Sequence, residues 1–227
     1  MNNPLTLFNQ LSRRSHCVWL DTASGEGVSL LAADPVKVFS CKNDPAAFER
    51  LKAELTGFNG YAIGYFSYGL KNQIEKLPAR AVDDLKLPDC WFGFYEDVTV
   101  GRAAPSAPLP ANRMARPAVA PYQKQKFIEA VSRAKEYIAA GDIYQVNLSQ
   151  RFQTETPVAA PELYRVLRSS NAAPYAAYLD IGGTQILSSS PECFLKFSGR
   201  HVVTRPIKRS EEHTSELQSQ FRISYAV

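Results

Sequence analysis

Residues 137–152 read Tyr-Ile-Ala-Ala-Gly-Asp-Ile-Tyr-Gln-Val-Asn-Leu-Ser-Gln-Arg-Phe, and the spacing of apolar residues changes within this stretch. The apolar residues before Gly141 recur at helical spacing, which predicts a helix over residues 122–140 that the glycine ends. After Gly141, apolar and polar residues alternate up to residue 153, which predicts a strand with one polar face. A long helix that leads directly into a two-faced strand favours a fold in which helices interrupt the strands of antiparallel sheets.

The polar face of that predicted strand carries Gln145, Asn147 and Ser149. These side chains either line a polar pocket or simply face water, and a polar outer face is the usual state of an antiparallel sheet. The residues alone leave both interpretations open.

Residues 1–100 have the pattern of short strands separated by turns, with one helix that starts at Asp44 as N-cap and runs to about Leu55. Residues 101–121 contain five prolines among alanines and predict an extended linker. The predicted strands of the first part are Val18–Asp21, Val28–Ala32, Val36–Cys41, Tyr61–Phe66, Cys90–Tyr95 and Val98–Val100.

Residues 122–208 form the next predicted region, which begins with the long helix. A short helix at Pro161–Arg168 should turn Leu163, Val166 and Leu167 inward. The strands predicted after it are Ala176–Ile181, Gln185–Ser188, Cys193–Phe197 and His201–Thr204. Helices that interrupt antiparallel strands predict an α+β fold, with antiparallel sheets and the helices packed outside them.

The composition is that of an ordinary globular protein, with 45% hydrophobic and 21% charged residues and a net charge of +4. The basic residues are dispersed, which argues against a nucleic-acid partner. The four cysteines and three histidines show no metal-ligand spacing, so we predict no metal site within this chain. There is no signal peptide and no apolar run of about 18 residues, and we therefore expect a cytoplasmic protein without a membrane partner.

Two later segments contain residues suited to catalysis. Glu192 follows Ser188-Ser189-Ser190-Pro191, and a carboxyl group beside buried aromatic residues can act as a general acid, although a solvated turn glutamate is the simpler interpretation. Lys208 ends Thr204-Arg205-Pro206-Ile207-Lys208, where Arg205 could help to deprotonate the amine; most lysines, however, are surface residues. A hairpin turning at Gly199 would place Glu192 opposite Ile207, with Glu192 and Lys208 at the same open end.

Taken together, these motifs resemble the chorismate-binding family, which includes aminodeoxychorismate, anthranilate, isochorismate and salicylate synthases. The resemblance rests on four motifs in the family's order: residues 137–152, residues 171–179 (Asn-Ala-Ala-Pro-Tyr-Ala-Ala-Tyr-Leu), Ser190-Pro191-Glu192 with Phe194, and Thr204–Lys208. It implies a fold like that of anthranilate synthase component I, of which this chain would form an incomplete part.

The lysine at position 208 indicates which enzymes of this family the chain resembles most. Aminodeoxychorismate synthases carry lysine in this motif, whereas anthranilate and salicylate synthases carry alanine. The resemblance therefore implies synthesis of 4-amino-4-deoxychorismate for folate, with Mg²⁺ as cofactor and a glutamine amidotransferase subunit as partner. It implies that Lys208 attacks chorismate, that Glu192 protonates the leaving hydroxyl, and that Arg205, Gln145 and Asn147 bind the substrate.

The sequence departs from the family after Lys208. The family continues with Gly-Thr-Arg and about as much chain again, including the Mg²⁺ carboxylates, whereas residues 209–227 match nothing in it. Residues 209–219 resemble the translation of a sequencing-library adapter, so we interpret residues 209–227 as a non-native tail. We expect the chain alone to be inactive and to expose apolar surface where the rest of the fold would pack.

Two alternatives remain. The first is anthranilate synthase component I or another chorismate enzyme, which Lys208 disfavours. The second, of another class, is a non-catalytic module that docks an amidotransferase; retention of Glu192 and Lys208 disfavours it.

Overall fold

The computed structural model describes residues 4–25, 27–76, 82–101, 124–149, 151, 153–205 and 223–224. The helices of these residues are α1 (Pro4–Leu11), α2 (Ala47–Leu55), α3 (Lys71–Ile74), α4 (Lys124–Ala140) and α5 (Ala160–Ser170), with a 3-10 turn at Tyr68–Leu70. Their strands are β1 (Val18–Asp21), β2 (Ser29–Ala32), β3 (Lys37–Cys41), β4 (Tyr61–Phe66), β5 (Cys90–Tyr95), β6 (Thr99–Gly101), β7 (Tyr175–Asp180), β8 (Gln185–Ser190), β9 (Cys193–Ser198), β10 (His201–Arg205) and β11 (Ile223–Ser224).

The chain divides into two compact units. The first unit consists of residues 1–109 and 160–227, and it contains all of the strands given above. The second unit consists of residues 110–159, and its described part contains α4 and the segment that follows it. The predicted linker falls almost wholly outside the described residues, which resume only at residue 124.

The first unit is built around a five-stranded antiparallel sheet in the order β6-β2-β1-β7-β8. Side chains on alternate positions of β1 enter different cores, because successive residues of a strand point to opposite faces. Trp19 packs with Phe8 of α1 and Tyr164 of α5, whereas Val18 packs with Trp91 of β5. Strand β1, at the centre of this sheet, is therefore buried on both faces.

The second sheet, in the order β3-β5-β4, is also antiparallel. Trp91 and Tyr95 of β5 face the five-stranded sheet, whereas Cys90 and Phe94 face a separate core that includes Leu51 of α2. The result is a layered α+β unit with two antiparallel sheets at its centre and helices outside them. The predicted fold class is confirmed.

Strands β9 and β10 form the predicted hairpin around Gly199, whose φ of 57° suits a turn glycine. The register changes by one residue between Val203 and Arg205. Phe194 and Leu195 of β9 stand opposite the single residue Thr204, which is the arrangement of a β-bulge. The backbone of β11 pairs with the other edge of β10.

Helix α4 ends as the sequence predicts. Gly141 adopts a φ of 80°, its N–H donates to the carbonyl oxygen of Ile138 (3.1 Å), and the Asp142 N–H donates to that of Tyr137 (3.0 Å). This pair of hydrogen bonds is the Schellman motif, in which a left-handed residue satisfies the last carbonyl groups of a helix.

The strand predicted for residues 144–153 is wrong for the described part of that segment. Residues 142–149 lie outside any strand, and Tyr144, Val146 and Leu148 are exposed. Alternation specifies two faces, but a strand exists only where a neighbouring strand completes its hydrogen bonds. The described part of the second unit contains no other strand to pair with.

Two helix predictions need smaller corrections. Helix α2 begins at Ala47, because Asp44 accepts a hydrogen bond from the Ala46 N–H (2.9 Å) and holds Asp44-Pro45-Ala46 in a turn. In α5 the fully buried side chains are Tyr164 and Arg168, whereas Leu163, Val166 and Leu167 are only partly buried. Polar contacts of Tyr164 and Arg168, described below, account for that difference.

Candidate functional site

Glu192 lies in the short connection between β8 and β9, and its side chain is exposed. Its N–H donates to the Ser190 hydroxyl oxygen, and that hydroxyl also lies 3.3 Å from the Glu192 carbonyl oxygen. The neighbouring aromatic residues Phe194 and Phe197 are 83% and 68% exposed. The expectation that buried aromatic residues surround Glu192 is therefore wrong for the described chain.

Arg205 is the last described residue of β10 and is the ladder partner of Cys193. Glu192 immediately precedes that pair, so the hairpin does bring Glu192 and the backbone of Arg205 to one open end. The bulge shifts the register by one residue. Extrapolation of the described ladder therefore does not place Glu192 opposite Ile207, contrary to the prediction. Ile207 and Lys208, as well as the Arg205 side chain, lie outside the described residues.

Gln145 and Asn147 belong to the second unit, where both side chains are exposed. The Gln145 Nε2 atom donates to Asn147 Oδ1 at 3.5 Å, so the two amides lie on the same side of the segment. The prediction that Gln145 and Asn147 face the same side is therefore confirmed, although the segment is not a strand.

Residues 171–179 connect α5 to β7 and run through most of that strand. The Asn171 N–H donates to the Leu167 carbonyl oxygen at 2.9 Å, and the Asn171 carbonyl oxygen accepts from the Ser189 hydroxyl at 2.7 Å. These bonds fix the end of the helix against β8. A cavity of about 570 Å³ is lined by Leu20–Thr22, Pro174–Ala177 and Lys196, and Glu192 does not contribute to it.

A buried polar cluster joins α5 to the five-stranded sheet, and sequence reasoning missed it. Arg168 Nε donates to Asp21 Oδ2 at 2.6 Å, and both side chains are almost wholly buried. The Tyr164 hydroxyl donates to the same carboxylate oxygen at 3.2 Å, and the Ser29 hydroxyl donates to Oδ1 at 3.2 Å. The Arg168 guanidinium also lies over the Trp19 ring, 5.4 Å from its centroid.

Burial raises the pKa of the Tyr164 hydroxyl, and the neighbouring Asp21 carboxylate raises it further. The tyrosine therefore stays protonated and remains a donor to Asp21. The only sequence signal for this cluster is the spacing of Tyr164 and Arg168, which are four residues apart and so share a helix face.

No group of three or more His, Cys, Asp or Glu residues suited to hold a metal occurs among the described residues. The donor set of this part of the chain therefore does not fit a Mg²⁺ site. In the described part of the chain, no helix is both long and apolar enough to cross a membrane.

Comparisons with known proteins relate this geometry to a family. The profile of the chorismate binding enzymes matches residues 15–220, which includes part of the segment interpreted above as a non-native tail. Anthranilate synthase component 1 of Thermus thermophilus is 37% identical, with 82% of this chain and 46% of the relative covered. Aminodeoxychorismate synthase component 1 of Bacillus subtilis is 30% identical, with 93% of this chain and 58% of the relative covered.

A comparison with solved structures also finds a member of this group of enzymes. The crystal structure of anthranilate synthase component I from Streptococcus pneumoniae matches with a TM-score of 0.60 and 26% identity, covering 78% of this chain and 53% of that one. The chain spans about half the length of the curated relatives it matches. Because the family profile covers most of its residues, the chain belongs to the chorismate binding enzyme family.

Proposed function

We propose that the chain is the N-terminal part of an aminodeoxychorismate synthase component 1, which converts chorismate and ammonia to 4-amino-4-deoxychorismate. The observation that carries the proposal is Lys208 at the end of the motif Thr204–Lys208, in a chain that belongs to the chorismate binding family. A relative of that name in Bacillus subtilis aligns with 93% of this chain.

Lys208 is assigned the role of nucleophile. Its amine attacks C2 of chorismate, a C2–N bond forms, and the C4–O bond breaks as the hydroxyl departs. Glu192 donates the proton with which that hydroxyl leaves as water. Ammonia then attacks C4, the C4–N bond forms, and the C2–N bond breaks to release Lys208 as the free amine.

The hairpin supports this division of roles, since Glu192 and Arg205 flank its open end and Lys208 follows only three residues later. Arg205 is assigned to the chorismate carboxylates, because a guanidinium forms paired hydrogen bonds with such groups. Gln145 and Asn147, whose amides share one side of their segment, are assigned to the substrate's polar groups.

Mg²⁺ and a glutamine amidotransferase complete the proposal. Mg²⁺ would neutralise the ring carboxylate of chorismate, with ligands from residues other than those described here. The partner subunit would supply ammonia, in keeping with the component 1 names of the relatives. Cytoplasmic location and activity in folate synthesis belong to the same proposal.

Anthranilate synthesis is the second candidate, because the Thermus relative with that name is 37% identical. The two activities differ in the product released from chorismate. The residue at position 208 is the sequence feature that favours the first candidate.

The gene itself decides whether an enzyme of either kind is encoded. Long sequencing reads of genomic DNA across codon 208 should show Gly-Thr and a long open frame after Lys208. A frame that instead continues through Arg209 and stops after Val227 contradicts the enzyme proposal and favours the amidotransferase-docking module.

The product then separates the two enzymes. The protein encoded by the uninterrupted frame is incubated with chorismate, Mg²⁺ and ammonium, and the products are resolved by liquid chromatography. We expect 4-amino-4-deoxychorismate, and a Glu192→Gln variant should form it about 100-fold more slowly. A Lys52→Ala variant, which alters an exposed lysine of α2, should retain the full rate. Anthranilate as the main product would overturn the assignment.

A further inference from the structure

Two of the four cysteines stand directly opposite each other in the three-stranded sheet. Cys41 is the last residue of β3, Cys90 is the first residue of β5, and the two are ladder partners in the antiparallel register. Both are free, buried thiols, and both side chains lie in the same hydrophobic core. Opposed residues of an antiparallel pair have Cα atoms about 4.5–5.5 Å apart, which is within the range that a disulfide spans.

We propose that Cys41 and Cys90 are a redox modification site, at which a low-molecular-weight disulfide oxidises the two thiols to a cross-strand disulfide. The inference is independent of the function proposed above. It concerns a core of the first unit that contains Phe39, Phe94 and Leu51 and none of the candidate catalytic residues.

The pair lies at one end of the ladder, which is the place where a sheet opens at least cost. Next to it, the Asn43 N–H donates to Asp89 Oδ2 at 2.8 Å, and Lys42 Nζ donates to the Leu87 carbonyl oxygen at 3.0 Å. The Asp89 N–H donates to the Cys41 carbonyl oxygen at 2.9 Å. Loss of these end contacts would expose Cys41 while the remaining ladder pairs of β3 and β5 stay in place.

Cys41 is the better placed of the two to react first. Its residue is 8% exposed, whereas Cys90 is completely buried. Burial is the main cause that raises the pKa of both thiols, to about 12 for Cys90, whereas the neighbouring Cys90 thiol lowers the pKa of Cys41. The Cys41 thiolate is therefore the nucleophile and Cys90 is the resolving thiol.

The reaction balances with one molecule of the disulfide reagent. The Cys41 thiolate attacks one sulfur of the reagent, so that a mixed disulfide forms and one thiol leaves. The Cys90 sulfur then attacks the Cys41 sulfur, the mixed disulfide breaks, and the second thiol leaves. The protein loses two electrons and two protons, and the reagent gains both.

The product would connect β3 to β5 across the long intervening segment. A cross-link of this kind removes conformational entropy from the unfolded chain. The oxidised protein should therefore unfold at a temperature at least about 5 °C higher than the reduced protein.

The test uses the whole chain and oxidised glutathione. After reaction, free thiols are alkylated, the protein is digested, and cross-linked peptides are identified by mass spectrometry. We expect the Cys41–Cys90 peptide pair as the main product, together with the rise in unfolding temperature. A Cys17→Ser/Cys193→Ser variant retains only the proposed pair and should behave in the same way, whereas Cys41→Ser should show no rise.

Three results would overturn the proposal. One is a stable glutathione adduct at Cys41 without closure onto Cys90. Another is pairing with Cys17 or Cys193 as frequently as between Cys41 and Cys90. The third is a folded protein that stays reduced under conditions in which the urea-unfolded chain is oxidised completely.

Discussion

At the scale of single residues, the buried contact between Asp21 and Arg168 is the strongest departure from what the sequence suggests. The two residues are 147 positions apart, and each belongs to an element whose other inward residues are apolar or aromatic. Burial of either charge without its partner costs several kcal/mol, and contacts from Tyr164, Ser29 and Trp19 stabilise the buried pair further. The ion pair fixes α5 on the five-stranded sheet. Strands β7 and β8 of that sheet lead in turn to the hairpin of β9 and β10.

Replacement of Arg168 should therefore be costly. Arg168→Met leaves the Asp21 carboxylate buried without its cation, and we expect a loss of about 3–5 kcal/mol in the free energy of unfolding, measured with urea and tryptophan fluorescence. Arg165→Met is the matched control on the same helix, since Arg165 pairs with Glu162 and both side chains are about one third exposed. The control should lose less than about 1 kcal/mol. Equal losses in the two variants would refute a special role for the buried pair.

Cys17 gives a pH-dependent prediction. Burial, together with the Asp180 and Asp34 carboxylates, raises the pKa of its thiol to about 12. The unfolded chain therefore releases this proton near pH 9, whereas the folded chain keeps it. Stability contributed by the neutral thiol is complete below about pH 9 and is lost as the pH rises toward 12, with a slope of up to about 1.4 kcal/mol per pH unit.

A Cys17→Ala variant isolates that contribution. Urea unfolding between about pH 9 and pH 10 should show a shallower fall in stability for the variant than for the original chain. Comparison of slopes, rather than of absolute stabilities, removes the effect of the smaller side chain. Parallel slopes would show that Cys17 ionises equally in the folded and unfolded states.

At the scale of elements, most strands of the first unit were predictable because they are short apolar runs between turns. The predictions for β1, β4 and β5 match the observed bounds. The strand predicted at residues 144–153 failed because alternation carries no information about a pairing partner. The bulge in β9 was likewise not predictable, because it depends on how two strands meet.

The contact between β4 and β5 depends on Gly64. A Cβ atom at this position would overlap the Trp91 carbonyl oxygen and lie 2.7 Å from Phe92 Cα, so no side chain fits. We expect Gly64→Ala to lower the free energy of unfolding by about 3 kcal/mol, measured with urea.

Gly57→Ala is the control for this substitution. Gly57 has a φ of 80° and no atom within 4 Å of an added Cβ, so only the backbone conformation is penalised, by about 1 kcal/mol. If Gly64→Ala lowers the free energy of unfolding no more than Gly57→Ala does, β4 and β5 can move apart at little cost to accommodate a methyl group.

At the scale of the whole molecule, apolar side chains remain exposed on β9. Apart from Cys193, every side chain of this strand is exposed, including Phe194 and Phe197. The expectation that the chain exposes apolar surface is confirmed for this strand. The candidate site is predictable only in part: the motifs identify Glu192, Arg205 and Lys208, but their final arrangement depends on contacts that no local pattern encodes.

Exposed aromatic residues of this kind favour self-association. We expect light scattering to rise with protein concentration, and a Phe194→Ser/Phe197→Ser variant should reduce that rise several-fold. Val82→Ser is the control, because Val82 is highly exposed but lies in a loop rather than on a strand. If the Phe194→Ser/Phe197→Ser variant scatters as much light as the original chain, the chain self-associates through a different surface.

The proposed reaction requires that Lys208 forms a covalent bond with chorismate. The most direct test is peptide mapping by mass spectrometry of the protein encoded by the uninterrupted frame, quenched during turnover with chorismate and Mg²⁺ in the absence of ammonia. We expect an adduct on Lys208 with the mass of chorismate less one water. Turnover to 4-amino-4-deoxychorismate after ammonia is added, with Lys208 unmodified in the quenched sample, would contradict it.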